Sequence, residues 1–148
     1  MRDHFVQRLQ TMLWIEEVLA ADVLPLLRAN AVSTDLLYGL DRHQLETKQH
    51  ALTVRTILTL LGERHDPQST VELAPPDLEH GDFGIAETIA KTEHLEIASY
   101  TALRSLANAL GEEDVAARLQ EILEQEQYAL ELAEKATARF LAEHVANA

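Results

Sequence analysis

Residues 85–110 read IAETIAKTEHLEIASYTALRSLANAL. Within them Ile89, Glu93, Glu96, Tyr100, Leu103, Ala107 and Leu110 follow one another in alternating steps of four and three residues. That spacing is the inward stripe of a helix packed in a bundle. Two acids occupy its middle. A buried carboxylate is costly unless it is paired or holds a cation, so the rest of the chain must bring partners to the same level.

Working outward, Gly111 stops this third helix, which spans about residues 83–110. A fourth helix is expected over 113–143, with Leu119, Ile122, Glu126, Ala129, Ala133, Ala136 and Phe140 facing inward. Glu112 to Asp114 suit its positive N-terminal end. On the other side, 63–82 (ERHDPQSTVELAPPDLEHGD) hold Pro67, Pro75, Pro76 and Gly81 and break the pattern. They read as a long connection, since neither half of the chain could bury its apolar stripe alone. A second helix covers 34–61, capped by Ser33 or Thr34 and stopped by Gly62. Its stripe is Leu36, Gly39, His43, Glu46, His50, Thr53, Ile57 and Leu60. The first helix runs over 3–29, with Asp3 as a start signal and Val6, Gln10, Leu13, Glu17, Ala20, Leu24 and Leu27 inward. In this phase Glu16 faces solvent. Pro25 lacks an N–H, which predicts a kink or break near Asp22 to Leu24. The short turn Ala31–Ser33 makes the first two helices antiparallel. The expected fold is all-α, one domain over 1–148: a four-helix bundle whose long crossover between helices 2 and 3 is the ferritin-like topology.

Composition agrees and removes several function classes. The chain is 47% hydrophobic and 25% charged, with five Gly and four Pro, an ordinary balance for a globular protein. Its 12 basic and 25 acidic residues give a net charge of -13, which argues against nucleic-acid binding. The absence of cysteine removes disulfides, thiolate catalysis and iron–sulfur ligation and suits a cytoplasmic location. The N-terminal MRDHFVQRLQ has no apolar signal core, and no run approaches the ~18 apolar residues of a membrane span.

Each helix thus carries a core-facing glutamate: Glu17, Glu46, Glu93 with Glu96, and Glu126, joined by His50. All lie near the middle of helices roughly 38 Å long, so antiparallel packing brings them to one level. Carboxylates so close raise one another's pKa values. Two divalent cations would cancel that repulsion, and carboxylates with imidazole suit iron or manganese. The general bundle pattern places one Glu on each of two helices and Glu-x-x-His on the other two.

The segments MLWIEEVLAADVLPLL, HQLETKQHALTVRTILTLLG, AKTEHLEIASYTALRSLANALG and LQEILEQEQYALELAEK resemble the YciF/YciE-type bacterial stress proteins, whose ferritin-like fold is related to rubrerythrin. The likeness spans most of residues 9–135, with EHLEIASY its most specific block. It implies a di-metal carboxylate bundle, often dimeric, linked to stress. It matches Glu93 and Glu96 to a glutamate pair on helix 3, and Glu17, Glu46 and Glu126 to single glutamates elsewhere. Two departures stand out. Glu-x-x-His would put histidine at positions 49 and 129, where this chain has Gln49 and Ala129. His50 lies one turn beyond Glu46 and can take the first role; nothing on helix 4 takes the second.

The remaining polar residues have plainer roles. His43 reads as a supporting or structural residue, His4 and His94 as surface groups, and Tyr100 as a core tyrosine with a bonded hydroxyl. Trp14 fits the core or a dimer contact. Glu121, Glu124 and Glu131 form a solvated face. Two functions follow. One is a non-haem di-iron or di-manganese protein with oxidase- or peroxidase-like chemistry. Without cysteine for a rubredoxin-type donor, it would need an external reductant. The alternative is a non-enzymatic, oligomeric stress or interaction protein with a degenerate, metal-free site. A homodimer is expected in either case.

Overall fold

A computed structural model describes residues 1–69 and 71–146. Its elements are α1 (Arg2–Val18), a π-helical turn (Leu19–Val23), α2 (Leu24–Asn30), α3 (Thr34–Leu60), α4 (Gly81–Ala109) and α5 (Glu113–Ala146). The first three form the first long arm of the bundle, interrupted just before Pro25 as the missing N–H requires. The described residues contain no strand, and the architecture is the ferritin-like four-helix bundle.

Local chemistry sets the ends. The Ser33 hydroxyl caps α3 by accepting from the Leu36 N–H at 3.5 Å. Gly62 and Gly111, at φ 74° and 73°, close α3 and α4. Glu63 N–H reaches back to Leu58 O at 2.8 Å, and Glu112 N–H to Ala107 O at 2.9 Å. These are paired C-terminal closures that need a left-handed residue. Asp82 accepts from the Val32 and Ser33 amides, both at 2.9 Å, and so ties the α2–α3 turn to the start of α4.

The crossover is fastened at both ends. Gln10, expected on the inward stripe of helix 1, instead holds the connection: its Nε2 donates to Arg64 O at 2.5 Å and its Oε1 accepts from Asp66 N–H at 2.8 Å. Further along, Asp77 N–H donates to the buried Thr88 hydroxyl at 3.0 Å. There the crossover presses onto α4 at Gly84, where an added Cβ would sit 2.9 Å from Asp77 O.

The core has two parts. The larger includes Phe5, Leu9, Met12, Val54, Ile57, Tyr100, Leu103, Leu119 and Ile122. The smaller holds Leu24, Leu27, Leu40, Ile85, Ile89 and Ala133. Along α3, α4 and α5 the two clusters are separated by polar residues: His43 to His50, Glu93 to Glu96, and Glu126. Apolar packing above and below therefore clamps a polar layer in the middle of the bundle.

Glycine substitutions test this reading. Gly39, inside α3, has nothing within 4 Å of an added Cβ, so Gly39→Ala should stabilise by about 0.5–1 kcal/mol through helix propensity. Gly84→Ala should lower Tm despite the same propensity gain, because the crossover backbone must move. Thermal unfolding of both variants checks the opposite signs.

Candidate metal centre

The polar layer is built from one residue on the first arm, two on α3, two on α4 and one on α5. Glu16, Glu93 and Glu96 are fully buried and Glu126 is 1% exposed; His43 and His50 are 6% and 2% exposed. Ligand atoms of Glu16, His50, Glu96 and Glu126 all lie within 4.8 Å of one another, and so do those of His43, Glu93 and Glu126. Glu126 belongs to both sets, so the two adjoin and share one carboxylate.

Glu93, Glu96, Glu126 and His50 stand where the helical spacing puts them. His50 Nδ1 is 2.7 Å from Glu126 Oε1 and 4.0 Å from Glu16 Oε2. Its Nε2 bonds the Gln125 amide oxygen at 2.6 Å, which holds a proton on Nε2 and turns Nδ1 toward the carboxylates. Gln49, the Glu-x-x-His position on α3, is exposed.

Glu17 requires a correction. It lies outside the cluster, in an ion pair with Arg55 at the surface, and Glu16 takes the inward place. The cause is the π-helical turn, which accommodates an extra residue relative to α-helical spacing. A stripe carried back from Leu27 and Leu24 at α-helical steps therefore arrives one residue too late. The buried face upstream is centred on Phe5, Leu9, Met12, Glu16 and Leu19, with Leu13 and Ile15 also buried beside them. It keeps the four-three rhythm and is more apolar than Val6, Gln10 and Leu13, which is the signal that points to Glu16. The expectation that Glu16 is solvated fails for the same reason.

Glu46 is displaced too. The buried stripe of α3 steps from His43 to Thr47 and then His50, leaving Glu46 on the flank, where it pairs with Arg42 at 3.2 Å. In its stead His43 enters the layer, with Nε2 2.6 Å from Glu93 Oε1. Both imidazoles thus come from α3, and the absent histidine at Ala129 is offset by His43. His4 and His94 are exposed, while Tyr100 is a buried core residue whose hydroxyl donates to Glu16 Oε1 at 3.0 Å. Trp14 packs against the larger cluster.

The electrostatics are those of a site short of positive charge. Burial, then the Glu126 charge, raises Glu16 from 4.5 to about 8. Burial and neighbouring carboxylates push Glu93 and Glu96 well above the ordinary carboxylate range. Burial would lower His50, but the Glu126 and Glu16 carboxylates prevail and raise it to about 9. Burial keeps His43 low, and so neutral. Glu126 is held low: burial opposes ionisation, but the close approach of the Glu93 and His50 side chains outweighs it. Few hydrogen bonds satisfy these atoms. Both oxygens of Glu93, Glu96 and Glu126, Glu16 Oε2, His43 Nε2 and His50 Nδ1 have no partner of proper hydrogen-bond geometry, short contacts notwithstanding. Buried polar atoms normally find partners. A set of orphaned carboxylate oxygens and ring nitrogens converging from several helices fits divalent cations, which bind such donors without needing a proton.

Fold and cluster together define a ferritin-like bundle with a buried glutamate–histidine centre that can hold metal. The chain belongs to the family described as "Domain of unknown function (DUF892)", whose model matches residues 1–146. A protein from Xanthomonas campestris pv. campestris is similar in structure, with TM-score 0.83 and 25% identity over 99% of this chain and 96% of that one. The E. coli stress protein YciF has TM-score 0.80 and 20% identity, over 93% of this chain and 94% of its own. Ferritin-like, diiron-carboxylate proteins from Bacillus anthracis str. Ames reach TM-score 0.78 at 15% identity, over 91% and 96%. The resemblance to YciF-type proteins read from the sequence is thereby borne out at the level of family and fold. No curated protein matches the sequence. Among the described residues, no helix is long and apolar enough to cross a membrane.

The pKa shifts give a pH dependence. A group with a raised folded-state pKa binds more protons folded than unfolded, so stability falls as pH rises through its window. Glu16 acts between 4.5 and about 8, and His50 between 6.5 and about 9. Metal-free protein in chelator should be more stable at pH 5 than at pH 8.5, as read by urea midpoints, and Glu16→Gln should flatten the slope.

Proposed function

We propose that this protein is a di-metal carboxylate protein that binds two iron or manganese ions. Glu16, His50 and Glu96 would hold one ion and His43 and Glu93 the other, with Glu126 between them. The observation that carries this reading is the buried donor set drawn from four parts of the bundle, whose close mutual contacts lack hydrogen-bond geometry. When bound, such ions supply redox chemistry with dioxygen or peroxide.

The protein's own residues prepare the centre for that. Tyr100 orients Glu16 through its hydroxyl. Gln125 fixes the His50 tautomer. The two apolar clusters flank the layer above and below. Glu46 sits at the rim, close enough to bear on the charge of both His43 and Glu93. With no cysteine in the chain, electrons for turnover come from an external reductant. A cytoplasmic, homodimeric protein serving the oxidative or general stress response fits this chemistry, and the structural likeness to the E. coli stress protein YciF supports that assignment.

Metal content after anaerobic reconstitution with Fe(II) or Mn(II), measured by elemental analysis, tests the reading. About two ions per chain are expected. Glu16→Ala and Glu93→Ala should each lose metal, whereas Glu17→Ala should retain it. Absence of stoichiometric metal in the wild type overturns the reading and leaves the non-enzymatic alternative.

A further inference from the structure

A cavity of about 460 Å³ runs between α3 and α5 and reaches the polar layer at His43 and Glu46. Its size is that of a small-molecule pocket. Small and apolar residues shape it, among them Leu36 and Gly39 on α3, Ile89 on α4, and Ala129, Leu132 and Ala136 on α5. Ala129 is the position where the Glu-x-x-His pattern would set a histidine. The alanine lines the cavity in its place. Gly39 faces open space.

Charge tells what the cavity would accept. In a chain of net charge -13 with only 12 basic residues, three cations stand around this one opening: Arg42, Lys135 and Arg139. Arg42 is paired with Glu46 and lies 5.2 Å over the Tyr128 ring; Arg139 is paired with Asp35 at 2.8 Å. Lys135 makes no ion pair among the described residues and is exposed. Asp35 and Glu46 also line the cavity and balance two of these cations; a largely apolar cavity left with one uncommitted lysine is complementary to a molecule with an apolar body and a singly charged anionic head. At the inner end stands the buried His43, whose Nε2 lies 2.6 Å from Glu93 Oε1, and it marks where such a molecule would approach the centre.

We propose that this cavity is the binding site for an amphipathic monocarboxylate, held by Lys135 at the mouth with its apolar body toward His43. The inference deepens the di-metal reading by naming a class of molecule that reaches that centre, and it rests on that reading only for what happens after binding.

Decanoate is the probe, with decyltrimethylammonium as a control of equal chain length and opposite charge. Calorimetric titrations are run on chelator-treated and on metal-reconstituted protein. Decanoate should bind saturably to both, and the cation at least tenfold more weakly. Gly39→Phe, which fills the passage from a position with room for a side chain, should abolish decanoate binding while leaving metal content unchanged. The exposed Lys135→Gln should weaken binding several-fold and needs no core rearrangement. The proposal is overturned by absence of saturable binding at millimolar decanoate. Equal binding of the cation, or binding indifferent to both substitutions, overturns it as well. Decanoate binding without metal uptake would support the cavity and sink the di-metal reading; metal uptake without decanoate binding would do the reverse.

Discussion

Carboxylates facing one another inside a helical bundle are the constraint on which the rest of this structure depends. Glu16, Glu93, Glu96 and Glu126 have only two imidazoles and one tyrosine hydroxyl within the protein to answer them. Burying ionisable groups in this way opposes folding unless their charge is neutralised. In metal-free protein, protons retained by Glu16, Glu93 and Glu96 can do so, which is why their pKa values are raised. Cations would do it more completely and without leaving lone pairs unused. The apolar clusters on either side supply the burial energy that allows such a layer to exist.

The centre is asymmetric in its origins. Both nitrogens come from α3, two helical turns apart, while α5 supplies a single carboxylate followed by a small residue at position 129. Consequences appear on the α5 side, where a cavity rather than a side chain meets His43. Glu46, flanking instead of facing the layer, lies at that same boundary with Arg42. A buried glutamate–histidine cluster and an opening beside it therefore arise from the same few choices on two facing helices.

Much of this was legible in the chain. The four-three spacing of Ile89, Glu93, Glu96 and Tyr100 marks the inward face of α4, and the observed burial follows it residue by residue. Glu126 is equally plain, because α5 is an uninterrupted helix in which phase carries from one turn to the next, whereas on α3 the spacing leaves the choice between Gln49 and His50 open. The prolines of 63–82 announced the crossover and hence the topology. Arm one was different. Its periodicity breaks at the π-helical turn, and spacing alone carried the wrong phase to Glu17. Glu46 was misjudged for a related reason: between His43 and His50 a helix offers both 46 and 47 as intermediates, and only contact with neighbouring helices chooses Thr47.

By itself, then, the sequence determined the all-α bundle, its helix ends, the long crossover and the level at which acids gather, because these follow from periodicity, capping and turn chemistry acting over a few residues. Tertiary structure decided which of two adjacent glutamates turns inward, which histidine stands opposite Glu93, and that a cavity opens where Ala129 leaves space. Those outcomes depend on a rotation of roughly 100° per residue about each helix axis, and that rotation is set by packing against the other helices rather than by any local signal.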